Sequence, residues 1–200
     1  TSIIFLSWGV EKKNKPFVFG EFFRGHHGNA TMKVLSFDMG YKNLAYCLLE
    51  DKKIRQWKCV NIIEGKSKAK KPSITVLTEA LIDYLKQHEE LDAVERVLIE
   101  QQPCGFHRRS NTGMKVLSHV LQSYFYGKGK KVSFVSPKRK LKGCPDCKGK
   151  PTKERYKIHK QFAIDQARAH LATEEDAWST LFESADKQDD LADCLLQGLL

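Results

Sequence analysis

From residue 32 onward, apolar positions fall alternately into short runs and longer stripes. Val34, Leu35 and Phe37 form a compact run between Lys33 and Asp38, which predicts a buried strand over 34–37. Residues 44–49 and 54–62 read as two further strands joined by a hairpin turn at 50–53. Beyond a basic loop at 65–72, Ile74, Leu77, Leu81, Ile82 and Leu85 recur at helical spacing. They predict a helix over 74–88 with Ser73 as its N-cap. Residues 93–99 form a continuous apolar-rich strand suited to the centre of a sheet. Val116, Leu117, Val120, Leu121 and Phe125 mark a second helix over 112–126, closed by Gly127 and Gly129. A fifth strand follows at 131–135, a third long helix at 156–172, and a last helix from Leu181 to the end of the chain.

Residues 1–31 follow neither pattern. Phe-rich pieces, with Phe17, Phe19, Phe22 and Phe23, precede a Gly/His/Asn stretch at 25–29, without a sustained period. Met32 directly precedes the first strand, so 1–31 is expected to be a poorly ordered leader or extension and 32–200 the domain. A single arginine, Arg24, alongside Glu11 and Glu21 argues against a transit peptide. The 200 residues suit one α/β domain with a full core. A net charge of +10 and a pI near 9.3 point to a polyanionic partner, because Lys and Arg gain by displacing counterions from phosphates. The basic residues also cluster, at 66–71, at Arg108 and Arg109, at 128–131 and at 138–142. Six cysteines spread over strands, loops and a helix do not make a disulfide scaffold, and imply a reducing intracellular compartment. No run approaches the roughly eighteen apolar residues of a membrane span, so no membrane association is expected.

Three acidic motifs carry the candidate chemistry. Asp38, in F-D-M-G-Y-K-N, stands where the first strand should end, with Gly40 suited to a tight turn; alone, it reads as an ordinary turn aspartate. Glu100, in V-L-I-E-Q-Q-P, follows three aliphatic residues of a central strand, where a carboxylate is costly unless compensated. In K-Q-D-D-L-A-D-C-L-L-Q, over 187–197, Asp190 and Asp193 are three apart and Asp189 and Asp193 four apart. One helix face therefore carries like charges that repel unless a cation lies among them. The helix dipole accounts for one or two of these acids, not all. Together the motifs point to a divalent-metal site.

Antiparallel strands followed by alternating helix and strand are the order of the ribonuclease H-like fold: α/β, with a mixed central five-stranded sheet flanked by helices. The three motifs resemble those of RuvC-like Holliday junction resolvases, and D-D-L-A-D-C-L-L-Q especially the poxvirus and fungal mitochondrial branch. The resemblance covers 32–200. It implies a homodimeric endonuclease making symmetric nicks in branched, four-way DNA, with two Mg²⁺ per active site and Mn²⁺ as a substitute. Carried over by motif, Asp38, Glu100, Asp190 and Asp193 are the metal ligands, with Asp189 as the alternative to Asp190. S-P-K-R-K, over 136–140, resembles the segment that supplies a basic residue near the scissile phosphate, with Lys138 ranked ahead of Lys140 and Lys142. Arg108, Arg109, Lys138, Arg139, Lys140 and Lys142 are the expected DNA contacts. A two-fold symmetric junction calls for a two-fold dimer, and the second helix, through Tyr124 and Phe125, is the expected interface. The location implied is the cytoplasm or viral factory for a viral protein and the mitochondrion for a fungal-like one.

One segment departs from that pattern. G-C-P-D-C-K-G-K, over 143–150, inserts a C-x-x-C turn. Tetrahedral zinc needs four ligands; Cys144 and Cys147 with His159 make three, and Cys104 or His107 completes the set. A structural Zn²⁺ at Cys144 and Cys147 and a plain basic loop with incidental thiols stand level on sequence. Two other functions compete with junction resolution: a ribonuclease H-like nuclease acting on RNA–DNA hybrid or RNA, and a catalytically silent nucleic-acid-binding module. A complete acid set weighs against the last, since a binding protein gains nothing by presenting acids to phosphates without metal.

Overall fold

The computed structural model describes residues 31–65, 72–102 and 112–200. The leader, apart from Thr31, lies outside the described residues, as do 66–71, Cys104, His107, Arg108 and Arg109.

Five strands build one sheet: β1 (Lys33–Asp38), β2 (Leu44–Glu50), β3 (Lys53–Val60), β4 (Arg96–Glu100) and β5 (Lys131–Val135), in the order β3-β2-β1-β4-β5. The first three pair antiparallel, and β4 and β5 lie parallel to β1, so the sheet is mixed as expected. The β2–β3 hairpin turns through Asp51 and Lys52, both at positive φ (49° and 68°), the handedness that matches the twist of the strands it joins.

Helices cover both faces: α1 (Ile74–Gln87), α2 (Thr112–Gly127), α3 (Thr152–Leu171), α4 (Asp176–Ser184) and α5 (Gln188–Gly198). Successive strand side chains point to opposite faces. Leu35, Phe37, Leu44, Tyr46, Val97 and Ile99 accordingly pack with Leu77, Leu81 and Leu85 of α1 and Leu117, Leu121 and Phe125 of α2. Ala45, Cys47, Leu49, Ile54 and Trp57 pack on the other side with Ala163 and Ala167 of α3, Phe182 of α4, and Leu191 and Leu195 of α5. Ser73 caps α1 as expected, its hydroxyl accepting from the Val76 N–H at 3.3 Å.

Four element boundaries differ from the sequence reading. The last helix is two helices, broken at 185–187, and it ends at Gly198. Phe182 and Leu191 are nine residues apart, two and a half turns, so one continuous helix would turn them to opposite sides; the break lets both reach the core. Helix α3 starts at Thr152, ahead of the expected Tyr156, because its first turns are polar and carry no apolar stripe. Strand β3 stops at Val60, and Ile62 and Ile63 are buried from a turn instead, the Ile62 N–H donating to Tyr41 O at 3.1 Å. Before β4, a 3₁₀ turn at Glu89–Asp92 buries Leu91, and the chain beyond it buries Val94, so apolar residues read as strand belong to its approach.

Candidate active site

Strands β1 and β4 run side by side with Phe37 opposite Ile99, so Asp38 and Glu100 leave the sheet together at its carboxyl edge. By alternation both fall on the face of Ser36 and Leu98, which α5 covers. That helix is docked through its carboxyl end. Buried Gln197 donates from Nε2 to Ser36 Oγ at 3.0 Å, to Phe37 O at 3.1 Å and to Leu98 O at 3.3 Å. Next to it, Gly198 lies so near the sheet that a Cβ would stand 2.7 Å from Leu49 Cδ1. One turn and more upstream, Trp57 Nε1 donates to Leu191 O at 3.0 Å while its ring stacks on Phe182 at 5.2 Å. A helix held at both points carries Asp190 and Asp193 toward the strand ends.

The acids feel one another. Burial raises the Asp38 carboxyl well above the ordinary carboxylate value; Glu100 adds to the rise, Lys140 opposes it, and Asp193 and Asp190 add further. Burial also raises Asp193 against the pull of Lys140, and raises Asp190 with Asp189 beside it. Among the described residues, Asp38 and Asp190 have no ion-pair partner. Asp189 does: Lys160 of α3 holds it, which leaves Asp190 and Asp193 as the helix pair facing Asp38.

Lys140 enters this group from the loop after β5. Its ammonium stands 2.5 Å from Glu100 Oε2 and 2.7 Å from Asp193 Oδ2, with only 7% of the side chain exposed. Burial disfavours its charge, yet Asp193, Glu100 and Asp38 outweigh that and hold its pKa above the usual lysine value. Lys138, ranked first on sequence, is exposed, as are Arg139 and Lys142. Turns explain the difference: Arg139 N donates to Ser136 O at 3.0 Å and Leu141 N to Lys138 O at 3.3 Å, reversing the chain so that Lys140 points inward. Gln197 was also missed as a positioning residue. The available signal was a polar side chain standing in the apolar stripe of Leu191, Cys194 and Leu195.

The donors suit a hard divalent cation. They are carboxylate oxygens, the ligands Mg²⁺ prefers, and carboxyls raised by burial and by one another are what a cation relieves. Elsewhere, Cys144, Cys147 and His159 also converge, with one ligand atom of each within 4.8 Å of the others. The expectation for Phe125 changes: it is fully buried, tilted against Phe37 at a ring separation of 5.9 Å, and is not spare surface on α2. Tyr124 stays half-buried, and a groove of about 700 Å³ lies between α1 and α2, lined by Thr78, Ile82, Val116, His119, Val120 and Tyr124 among others. No helix among the described residues is long and apolar enough to cross a membrane.

Comparisons place this architecture. The fold resembles that of the yeast mitochondrial Holliday junction resolvase Ydc2, at 18% identity, 84% of this chain and 78% of that one, with a TM-score of 0.61. It also resembles Thermus thermophilus RuvC, at 13% identity, 84% of this chain and 92% of that one, with a TM-score of 0.54. The same RuvC in complex with a Holliday junction substrate matches at 15% identity, 84% and 90% coverage, and a TM-score of 0.50. These likenesses bear out the ribonuclease H-like fold. An uncharacterised protein of Acanthamoeba polyphaga mimivirus is 32% identical over 135 residues, 58% of this chain and 31% of that one. The chain thus spans about a third of that relative's length. Residues 32–200 match the profile described as Poxvirus A22 protein, and the chain belongs to that family.

Proposed function

We propose that the chain is a metal-dependent, structure-selective endonuclease that resolves four-way DNA junctions by paired hydrolysis of phosphodiesters. The observation that carries this reading is the gathering of Asp38, Glu100 and Asp193 about the Lys140 ammonium at the carboxyl edge of the sheet, with Asp190 near enough to raise Asp38 further. It is supported by the fold shared with one protein named as a Holliday junction resolvase and another solved in complex with a Holliday junction substrate.

Asp38, Glu100, Asp190 and Asp193 are the ligands proposed for Mg²⁺, two ions per site, with Mn²⁺ as a substitute. Bound divalent ions supply an activated water and neutralise charge on the attacking and leaving oxygens. The chain's own residues do the rest. Asp38 and Glu100, anchored on neighbouring strands, set the floor of the site, while α5 brings the helix pair to it. Lys140 is the proposed catalytic lysine in place of Lys138: its ammonium sits among the ligands, where it stabilises charge developing on the phosphate. Exposed Lys138, Arg139 and Lys142 flank it as contacts for the DNA backbone, with Arg108 and Arg109 proposed alongside them.

A second copy, docked through the α1/α2 groove, gives the two-fold pair of sites that symmetric nicking needs. The catalytic unit proposed is 32–200, in a reducing intracellular compartment.

A substrate panel tests the activity: a four-way junction, a linear duplex and an RNA–DNA hybrid of the same arm sequence, each with and without Mg²⁺. Cleavage of the junction alone, and only with the ion, is expected. Preferential cleavage of the hybrid assigns the chain to another ribonuclease H-like activity, and junction binding without cleavage makes it a silent binding module.

A further inference from the structure

We infer that Cys144, Cys147 and His159 form a zinc site that fixes the loop presenting Lys140. The two thiols come from the loop between β5 and α3, and the imidazole comes from α3 itself, so the three donors tie a loop to a helix. Among the described residues this is the one group of three or more such donors whose ligand atoms lie within 4.8 Å of one another. Zn–S and Zn–N lengths near 2.3 and 2.0 Å place tetrahedral donors about 3.6–3.8 Å apart, so shifts of about 1 Å close the site.

The loop has the features of one that needs a staple. Residues 136–151 contain no helix or strand, and Cys147 is the one buried residue in that span besides the enclosed Lys140 side chain. A segment that long, without apolar side chains of its own in the core, is not held by hydrophobic burial. Gly143 and Gly149 bracket the C-P-D-C turn at φ of 90° and 79°, a left-handed pair that folds the turn back on itself. Inside it the Lys148 N–H donates to Asp146 Oδ1 at 2.9 Å, and Lys150 N to Cys147 O at 3.2 Å.

Charge favours the assignment. Lys142, Lys148 and Lys150 flank the turn in sequence, so the segment is basic. Two thiolates and Zn²⁺ sum to zero, so the ion adds no charge to a segment that is already basic. Binding releases the two thiol protons to solvent and changes no oxidation state. A Cys144–Cys147 disulfide would leave the convergence of His159 on the pair without a role. The fourth position falls to water.

The consequence reaches the acid cluster. From Lys140 to Cys144 the backbone is bonded turn by turn, with Lys142 N donating to Arg139 O at 3.3 Å and Cys144 N to Leu141 O at 3.0 Å. Holding Cys144 therefore holds the segment from which Lys140 reaches Glu100 and Asp193.

The test is metal content on the full chain, purified under reducing conditions without chelator and then given Zn²⁺ and passed through a desalting column. About one zinc per chain is expected, retained in Asp38→Asn/Asp193→Asn, whose loop is intact, and lost in Cys144→Ser, Cys147→Ser and His159→Ala. Replacement by Co²⁺ should give a thiolate-to-metal absorption band in the wild type and none in Cys144→Ser/Cys147→Ser. Limited proteolysis should cut at 138–150 several-fold faster in that double variant, with its circular dichroism unchanged. Zinc absent from the reduced wild type after loading, zinc retained by the double cysteine variant, or an intramolecular disulfide as the stable form each overturns the assignment.

Discussion

A lysine buried among carboxylates loses hydration and recovers it as charge attraction only while its partners stay ionised. Lys140 meets that condition through Glu100 and Asp193. Lys140→Ala should lower junction cleavage about a hundredfold or more, the scale of losing one preorganised charge at a transition state, with junction binding within a few-fold of wild type. Lys138→Ala, at an exposed position, should cut at near the wild-type rate; the reverse ranking would move the catalytic role to Lys138. Asp38 makes the complementary case, a carboxyl that burial and Glu100 hold well above its ordinary value without an ion-pair partner among the described residues. Folded Asp38 binds its proton more tightly than unfolded Asp38. Metal-free stability therefore falls as pH rises from the ordinary carboxylate range through the raised folded value, and stays lower above it. Asp38→Asn should raise the Tm of the metal-free protein at neutral pH, by about 2–4 °C for each kcal/mol relieved, and should abolish the Tm gain that Mg²⁺ gives the wild type. An unchanged Mg²⁺ shift in thermal melts of that variant would take Asp38 out of the ligand set.

At the scale of elements, the site is made by docking one helix on one strand pair. Gln197 does this with a single amide that serves three acceptors on β1 and β4. Gln197→Leu removes those bonds and leaves buried oxygens unpaired, at about 1–3 kcal/mol. The melt should drop by several degrees, and the Mg²⁺-induced shift should shrink because Asp190 and Asp193 are no longer held against Asp38. A variant that melts and responds to Mg²⁺ like the wild type would show that α5 is positioned without this clamp. The strands and most helices were legible because apolar runs and stripes report burial directly, and the acids because each stands at a break in such a run, as Asp38 and Glu100 do. Lys140 was not legible as the inward lysine. Nothing periodic separates it from Lys138, and the choice is made by turn hydrogen bonds at 136–142. The break between α4 and α5 escaped for a related reason: D-K-Q is compatible with a helix, and only the need to bury both Phe182 and Leu191 interrupts it.

At the scale of the whole molecule, opposite demands meet in one chain. A basic surface gathers phosphates while an acidic edge at the sheet's carboxyl end repels them until cations intervene. The family match covers 32–200, and under the proposed function a two-fold pairing through the α1/α2 groove would turn one such edge into half of a resolving enzyme. The most direct measurement of that claim is cleavage of a supercoiled plasmid carrying one extruded cruciform, sampled over time with Mg²⁺. The account predicts conversion of the supercoiled form to the linear form through symmetric nicks across the junction, with little nicked circle on the way, and no cutting without the ion or of a plasmid lacking the cruciform. Accumulation of nicked circles, or equal cutting of the cruciform-free plasmid, would contradict it.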